Sequence, residues 1–487
     1  MGVPYEAQLF INNKFTPAST AETFELRSPF TNELVAKVAE ASVEDVDTAV
    51  AAAEAAFPAW SALSPQMRGK PLKRMAEKVL AAKRELAELD AVSMGRPVDG
   101  YFDADYANVH FEYFAQAAYA TGHTSLNTPG FLNISLRQPF GVVGVIIPWN
   151  APLVFFSKKV APAVAAGNCV VLKSSEKAPL TSWKLAQWIE ECGFPPGVIN
   201  VIHGHGQISG QAMGTHMKIR CISFTGSTRT GRAIQKASAD SNLKKVVFEL
   251  GGKGPAIIFE DADIDEAVKA TEFSIMYNSG QTCMANSRIY VQKSIKDKFT
   301  EAFKKIANSR KLGDPTRSGT NHGPQADKAQ YETVLKYVDI GKQTGEVVLE
   351  GKAEGLNMVH PVVFTNQPED SKIMKDEIFG PVVVINAFDT EEEVIAKAND
   401  SEFGLYAALF TKDLQRALRV SKKLESGMVG VNCASPTGCW DLPFGGWKGS
   451  GTGRESLLES LEHFTEQKSI FFKVPGLGEA STSALGR

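Results

Sequence analysis

The sequence predicts an α/β fold built on a parallel sheet. Three observations carry that reading. Residues 142–147 and 169–172 are unbroken apolar runs rich in β-branched residues, the pattern of strands buried on both faces. Helical patterns alternate with such runs from about residue 140 onward, as the crossovers between parallel strands require. Distinctive polar and glycine motifs follow five of the strands at their carboxyl ends, where sheets of this kind bind ligands.

Taken in order, residues 8–40 read as short strands and turns, with Asn12-Asn13 and Ser28-Pro29-Phe30-Thr31-Asn32 as turn chemistry. Ser42 is a candidate N-cap, with Glu44 and Asp45 in the first turn of an Ala-rich helix to about residue 56. A second helix is expected over 71–93, ended by Gly95-Arg96-Pro97, and a third over 101–119. Strands follow at 142–147, 169–172, 198–202, 219–224 and 245–248. The helix over 180–192 stops at Gly193, with Pro195 just beyond. The alternation resumes with strand 255–259, helix 264–277, strand 287–291 and helix 296–308, and continues to about 432. Residues 312–330 read as loop, and 476–487 as a loose tail. The segment 443–451 is too rich in glycine for regular structure and reads as a loop beside a substrate.

With 487 residues, 43% hydrophobic and 22% charged, the chain has ample core and suggests two or three domains. A net charge of −3 without basic blocks leaves no footprint for nucleic acid. No apolar run is long enough to span a bilayer, and no N-terminal signal is evident. Six scattered cysteines without a CxxC pair argue for reduced thiols and a cytoplasmic location. Eight histidines without ligand spacing argue against a metal.

Two residues draw the chemistry. Cys283 follows Ser279-Gly280-Gln281-Thr282, a tight backbone that suits a nucleophile, although a lone cysteine is more often a small buried hydrophobe. Glu249 stands between a β run and Gly251-Gly252, where a raised pKa would make it a general base rather than an exposed carboxylate. Asn150, after the first buried strand, offers an amide donor to an oxyanion, an effect on the order of 3–4 kcal/mol. A helix-capping role is compatible with it. Thr225-Gly226-Ser227, between a strand and a helix, suits a phosphate as well as it suits a plain turn. Glu176 would accept hydrogen bonds from a ribose 2′-hydroxyl, which favours NAD over NADP, while Lys173 beside it offsets some repulsion of a 2′-phosphate. Both also read as a solvated loop pair. The run from Gly204 through Gly206 to Gly210 is one residue too long for a dinucleotide fingerprint.

Together these residues resemble the aldehyde dehydrogenase superfamily over about residues 8–474. The resemblance rests on Pro148-Trp149-Asn150, Lys173-Ser174-Ser175-Glu176, Phe224-Thr225-Gly226-Ser227 and Glu249-Leu250-Gly251-Gly252-Lys253, then Gly280-Gln281-Thr282-Cys283, Glu377-Ile378-Phe379-Gly380-Pro381 and Pro443-Phe444-Gly445-Gly446. It implies a Rossmann-like NAD domain (1–120 and 140–251), an α/β catalytic domain (252–449) and a small β oligomerisation arm (121–139 and 465–475). It implies that Cys283 attacks the aldehyde, that Asn150 and the Cys283 backbone N–H hold the oxyanion, and that Glu249 activates the water that hydrolyses the thioester. Lys173 and Glu176 would bind the adenosine ribose, Gly226 and Ser227 the pyrophosphate, and Glu377 the nicotinamide ribose, with Phe379 near the ring. Trp149, Ser175, Gly206, Phe224 and Leu250 complete the cofactor wall. A homodimer or homotetramer follows from the arm.

The chain departs from the family pattern at two points. Ser174 replaces a common proline. Lys158 stands where many relatives carry an aromatic residue lining the substrate tunnel; there it would suit a polar or acidic aldehyde, and otherwise it is a solvated lysine on a helix. Phe155, Met284, Trp440 and Phe444, with Tyr106, His110 and Phe114, are the other tunnel candidates. One rival is an acylating enzyme that passes the acyl group to coenzyme A, which a water-activating Glu249 would defeat. The other is a non-catalytic relative acting as a structural or binding protein, which joint retention of Cys283, Glu249 and Asn150 argues against.

Overall fold

The computed structural model describes residues 4–116, 121–438, 441–457 and 459–478. Two large sheets carry the molecule. The first has eight strands, in the order Gly451–Thr452, Lys245–Glu249, Ile219–Thr225, Val142–Ile146, Cys169–Lys173, Ile199–Ile202, Leu9–Ile11 and Lys14–Thr16. The five central strands are parallel. The chain enters at Val142–Ile146, works outward to Ile199–Ile202, then returns to the other side for Ile219–Thr225 and Lys245–Glu249. That reversal opens a crevice at the carboxyl ends of the two strands flanking it. Val142–Ile146 and Cys169–Lys173 are buried throughout, as their apolar runs require.

The second sheet has seven strands, in the order Glu346–Glu350, Val362–Thr365, Val382–Phe388, Arg288–Gln292, Pro255–Ile258, Tyr406–Phe410 and Met428–Val431. All its pairings are parallel except that of the edge strand Glu346–Glu350. Its core includes Ile257, Tyr290, Phe364 and Leu409. A third, antiparallel sheet pairs Thr465–Lys473 with Phe131–Pro139 along their full length, with His123–Ser125 on the far edge.

Several expectations need correction. The helix begun by the Ser42–Asp45 capping box runs on to Ser61, with Pro58 inside it. The stretch read as one helix over 71–93 is two, Pro65–Ala81 and Lys83–Met94. The true start is Ser64, whose side chain accepts from the Met67 N–H with Pro65 at the first helical position, an arrangement that suits proline because the missing N–H has no partner to lose. Pro71 lies inside the helix, not at its start. The helix from Asp103 runs to Gln116, the last described residue before 121. Within 312–330, helix Lys328–Thr344 already begins, capped by Asp327. The glycine-rich segment 443–451 does contain regular structure: Trp447–Lys448 and Gly451–Thr452 are short strands. Glycine lowers strand propensity, but pairing to Phe403–Gly404 and Lys245–Glu249 supplies what propensity does not. The start of the expected tail is tied down, since the Gly130 N–H donates to the Leu477 carbonyl and the Val474 N–H to the Gly130 carbonyl. Residues from 479 on lie outside the described part.

Candidate active site

Glu249 is the last residue of strand Lys245–Glu249, and it is 1% exposed. Two interactions fix the turn after it. The Leu250 N–H donates to the Ser450 carbonyl, and the Ser450 hydroxyl donates to the Gly251 carbonyl. The glycine pair that follows has a packing reason. A Cβ on Gly251 would lie 2.2 Å from a Glu377 carboxylate oxygen, and one on Gly252 would lie 2.2 Å from the Cys283 carbonyl. Only glycine lets the Glu249 turn sit between the Cys283 loop and Glu377.

The Cys283 loop is as irregular as its glycine suggests. Asn278 and Ser279 both adopt left-handed backbone, and Gly280 follows at φ +80°. A Cβ on Gly280 would meet the Gly380 backbone at 2.1 Å. Buried hydrogen bonds hold this strained run: the Ser279 hydroxyl donates to the Gly323 carbonyl, and the Gln281 side-chain oxygen accepts from the Ala326 N–H. The Asn150 side chain, 7% exposed, donates to the Gln281 carbonyl at 3.0 Å, while Asn278 donates to the Asn150 carbonyl. Asn150 is thereby anchored beside the thiol with a second amide hydrogen to spare.

Electrostatics mark the same residues. Both Glu249 oxygens are buried without a hydrogen-bond partner. Burial pushes this carboxyl up to about 7; proximity of the Cys283 thiol, Lys158 and Lys159 pulls it down, and Glu455 pushes it further up. Burial and the Glu249 charge push the Cys283 thiol well above its ordinary value. Glu377, which accepts from the Gly252 N–H at 2.9 Å, is likewise pushed up to about 7 by burial.

A cleft of about 510 Å³ opens at the reversal point of the first sheet. Every residue expected at the cofactor lines it: Trp149, Lys173, Ser175, Glu176, Gly206, Phe224, Gly226, Ser227, Leu250, Glu377 and Phe379. Asn150, Glu249 and Cys283 close one part of it. Ser227 caps helix Thr228–Ala239, and its hydroxyl accepts from the Thr230 N–H. A side chain at Gly226 would strike the Phe224 ring at 2.6 Å. Lys173 is buried, with Nζ on the Ser174 carbonyl, and burial lowers its pKa. The stretch from Gly206 to Gly210 is a single wide π-type turn leading into a short helix. Phe379 sits at φ +59°, edge-on to Trp149 at 5.3 Å, with the Gln330 amide donating to its carbonyl.

The substrate candidates fall elsewhere. Phe155, Lys158, Met284 and Phe444 do not line this cleft. Lys158 is not solvated: it is 4% exposed, with Nζ 3.0 Å from the centre of the Phe444 ring. Its helix, Pro152–Ala165, is buried at every position but Val154, so no face remains for a solvated lysine. Met284 is partly buried against the second-sheet core, and Phe114 belongs to the first core. Trp440 lies outside the described residues.

Four further residues join the site. Gln330 holds Phe379, and Ser450 holds the Glu249 turn. Lys159, fully buried, donates to the Ser223 hydroxyl and to Glu455. Two adjacent lysines in a helix otherwise apolar but for Ser157 are a readable sign that both are buried. Gln330 and Glu455 carry no such sign, and Ser450 has only its place in the glycine-rich segment 443–451.

The sequence pattern of the aldehyde dehydrogenase family matches residues 15–470. The chain is 43% identical over 482 residues to an aldehyde dehydrogenase of Davidiella tassiana, covering 97% of this chain and 96% of that protein. It is 42% identical over 477 residues to the mitochondrial aldehyde dehydrogenase of Homo sapiens, covering 96% and 92%. Among solved structures, the NAD+ complex of aldehyde dehydrogenase from Bacillus cereus is similar with a TM-score of 0.94 at 39% identity, covering 96% of this chain and 97% of that one.

Proposed function

The chain belongs to the aldehyde dehydrogenase family, and from that premise we propose that it oxidises an aldehyde to the free acid through a Cys283 thioester, with NAD rather than NADP. The observation that carries the hydrolytic reading is Glu249. Its two buried oxygens have the Cys283 thiol as their one polar neighbour close enough to lower the pKa, burial nonetheless lifts that pKa to about 7, and the turn that bears it packs against the Cys283 carbonyl. A carboxyl so placed is a base near neutral pH, within reach of an acyl group on the thiol.

The Cys283 thiol gives its proton to solvent by way of the neighbouring Glu249 carboxylate, its sulfur bonds to the carbonyl carbon, and the C=O electron pair moves onto oxygen, giving the anion of a thiohemiacetal. The spare Asn150 amide hydrogen and the Cys283 N–H hold its oxyanion, a preorganised pair that needs no rearrangement as charge develops. A nicotinamide cofactor held by the cleft would supply the hydride acceptor, and loss of hydride from that carbon leaves a thioester on Cys283. Glu249 removes a proton from the water that attacks the thioester, and the C–S bond breaks to release the acid. The cleft residues suit the cofactor: Gly226 and Ser227 at a helix N-terminus for the pyrophosphate, Lys173 and Glu176 for the adenosine ribose, and Glu377 for the nicotinamide ribose. The Glu176 carboxylate would oppose a 2′-phosphate, which favours NAD.

An aldehyde panel run with NAD and with NADP, with and without coenzyme A, tests this. Free acid formed faster with NAD, unaffected by coenzyme A, is the expected result. An acyl-CoA product would overturn the hydrolytic reading, and a preference for NADP would overturn the role of Glu176.

We also place the protein in the cytosol. Among the described residues, the cysteines at 169, 192, 221, 283 and 433 are free thiols, and no helix is long and apolar enough to cross a membrane. A fusion to a fluorescent protein that localised to an organelle would refute it. The arm supports a homo-oligomer: Phe471 is 69% exposed on one face of strand Thr465–Lys473, and Phe472 and Leu136, 46% and 45% exposed, stand on the other, apolar side chains that a second copy of the chain would cover. Light scattering is expected to give a dimer or tetramer of the 52.7 kDa chain, and Phe471→Glu with Phe472→Glu to shift it towards monomer. A wild-type monomer would remove that role from the arm.

A further inference from the structure

Resting on the cofactor reading above, we propose that Lys177 and Asp327 form a clasp across the cleft, which holds the bound nicotinamide cofactor and sets how fast its reduced form leaves. Lys177 Nζ lies 2.7 Å from an Asp327 carboxylate oxygen. Lys177 follows strand Cys169–Lys173 of the first sheet, and Asp327 caps helix Lys328–Thr344, which leads into the second. The pair is one link in a closed ring of contacts. The other Asp327 oxygen accepts from the Gln330 N–H at 2.8 Å, and the Gln330 amide donates to the Phe379 carbonyl at 2.9 Å. Phe379 meets Trp149 edge-on, and Lys177 Nζ stands 5.4 Å from the centre of the Trp149 ring. Two links therefore cross between the sheets: the Trp149–Phe379 contact and the Lys177–Asp327 pair. Only the second is ionic, so it can be broken without touching the aromatic wall of the site.

Position and rigidity point the same way. Four of the five residues, all but Asp327, line the cleft. The Lys177 and Asp327 side chains are 25% and 37% exposed, whereas Asn150 and Glu249 are 7% and 1% exposed. The clasp thus stands at the open side of the cleft and the chemistry at its floor. A partly exposed ion pair by itself contributes little, because two flexible side chains must be ordered to form it. Here much of that order exists already. The helix cap fixes Asp327, and the Trp149 face steadies the Lys177 ammonium. Ala178, next after Lys177, and Ala326, just before Asp327, pack with Met94 in a buried apolar cluster against which Trp149 rests. Ala326 also donates to Gln281 of the Cys283 loop. A cofactor in the cleft has this ring along its flank, and parting the ring's two sides requires the Lys177–Asp327 pair to break.

The test measures release of NADH from the full chain, followed by its fluorescence in a stopped-flow chase with excess NAD. Lys177→Gln is expected to speed release by about three- to tenfold and Asp327→Asn by about two- to fivefold, the worth of contacts this exposed. Asparagine keeps the helix cap, so the second variant removes the charge alone. The double variant is expected to release NADH no faster than Lys177→Gln, because the two side chains make one contact. Lys177→Arg is expected to restore most of the slow release. Unchanged release in both single variants would overturn the proposal, as would effects that simply multiply in the double variant. Slower release from Asp327→Asn would also overturn it, since that marks Lys177 as a direct ligand of the cofactor phosphates, freed by loss of its partner. If wild type binds no NADH, the cofactor reading itself fails and takes the clasp with it.

Discussion

Replacing Cys283 by alanine is expected to abolish turnover, by roughly 10⁴-fold or more, while NAD still binds. The loss is large because the sulfur forms the bond on which every later step depends, and no second thiol is described beside Glu249 in the cleft. Cofactor binding survives because Trp149, Glu176, Ser227 and Phe379 line the cleft independently of the thiol. The variant also removes little volume from the irregular loop, whose shape is set by Asn278, Ser279 and Gln281. Quenching of tryptophan fluorescence by NAD would report binding, and steady-state absorbance would report turnover. Residual activity near that of wild type would remove Cys283 from the chemistry.

Glu249→Gln is expected to separate the two halves of the reaction. The amide keeps the shape of the side chain but cannot take a proton from water. Reduced cofactor should appear as a rapid burst of about one equivalent per site, followed by turnover slowed roughly 10²–10⁴-fold. The pH dependence gives an independent check. Burial lifts the Glu249 carboxyl to about 7, so below that pH it is mostly protonated and is no base. Where hydrolysis limits turnover, the wild-type rate should therefore rise as pH increases through about 7, and the variant should lack that rise. Stopped-flow absorbance across pH 5–9 would show both effects. Absence of a burst together with an unchanged pH profile would free Glu249 of the role.

How far the site was legible follows from distance along the chain. Strand Val142–Ile146 and Asn150 could be read together because a doubly buried strand is a continuous apolar run and the motif follows directly. The same is true of Cys169–Lys173 with Glu176, and of Lys245–Glu249. Each needs only a short window of sequence. The Glu249–Cys283 pairing was legible as two glycine-flanked groups, but the contact that brings them together, Gly252 against the Cys283 carbonyl, belongs to tertiary packing. Ser450 lies 199 residues from Gly251, and Glu455 lies 296 from Lys159. No local pattern announces such pairs. Helical spacing over 71–93 places the start six residues late, because only the Ser64 cap with Pro65 at the first helical position marks the true one. Lys158 was open to two readings because helical spacing says where a side chain points around its own axis, not what packs against that face.

The short strand Gly451–Thr452 also sets a schedule. It completes the edge of the first sheet beside Lys245–Glu249, and Ser450 just before it pins the turn that carries Glu249. On a ribosome, the five central strands emerge roughly 200 residues ahead of the segment that finishes them, at about 5–20 residues per second. A nascent chain thus has one wall of the crevice, with Lys173, Glu176 and Ser227, well before the Glu249 turn is anchored and before Glu377 and Phe379 supply the other wall. The contacts that close the Glu249 turn come from the last tenth of the chain.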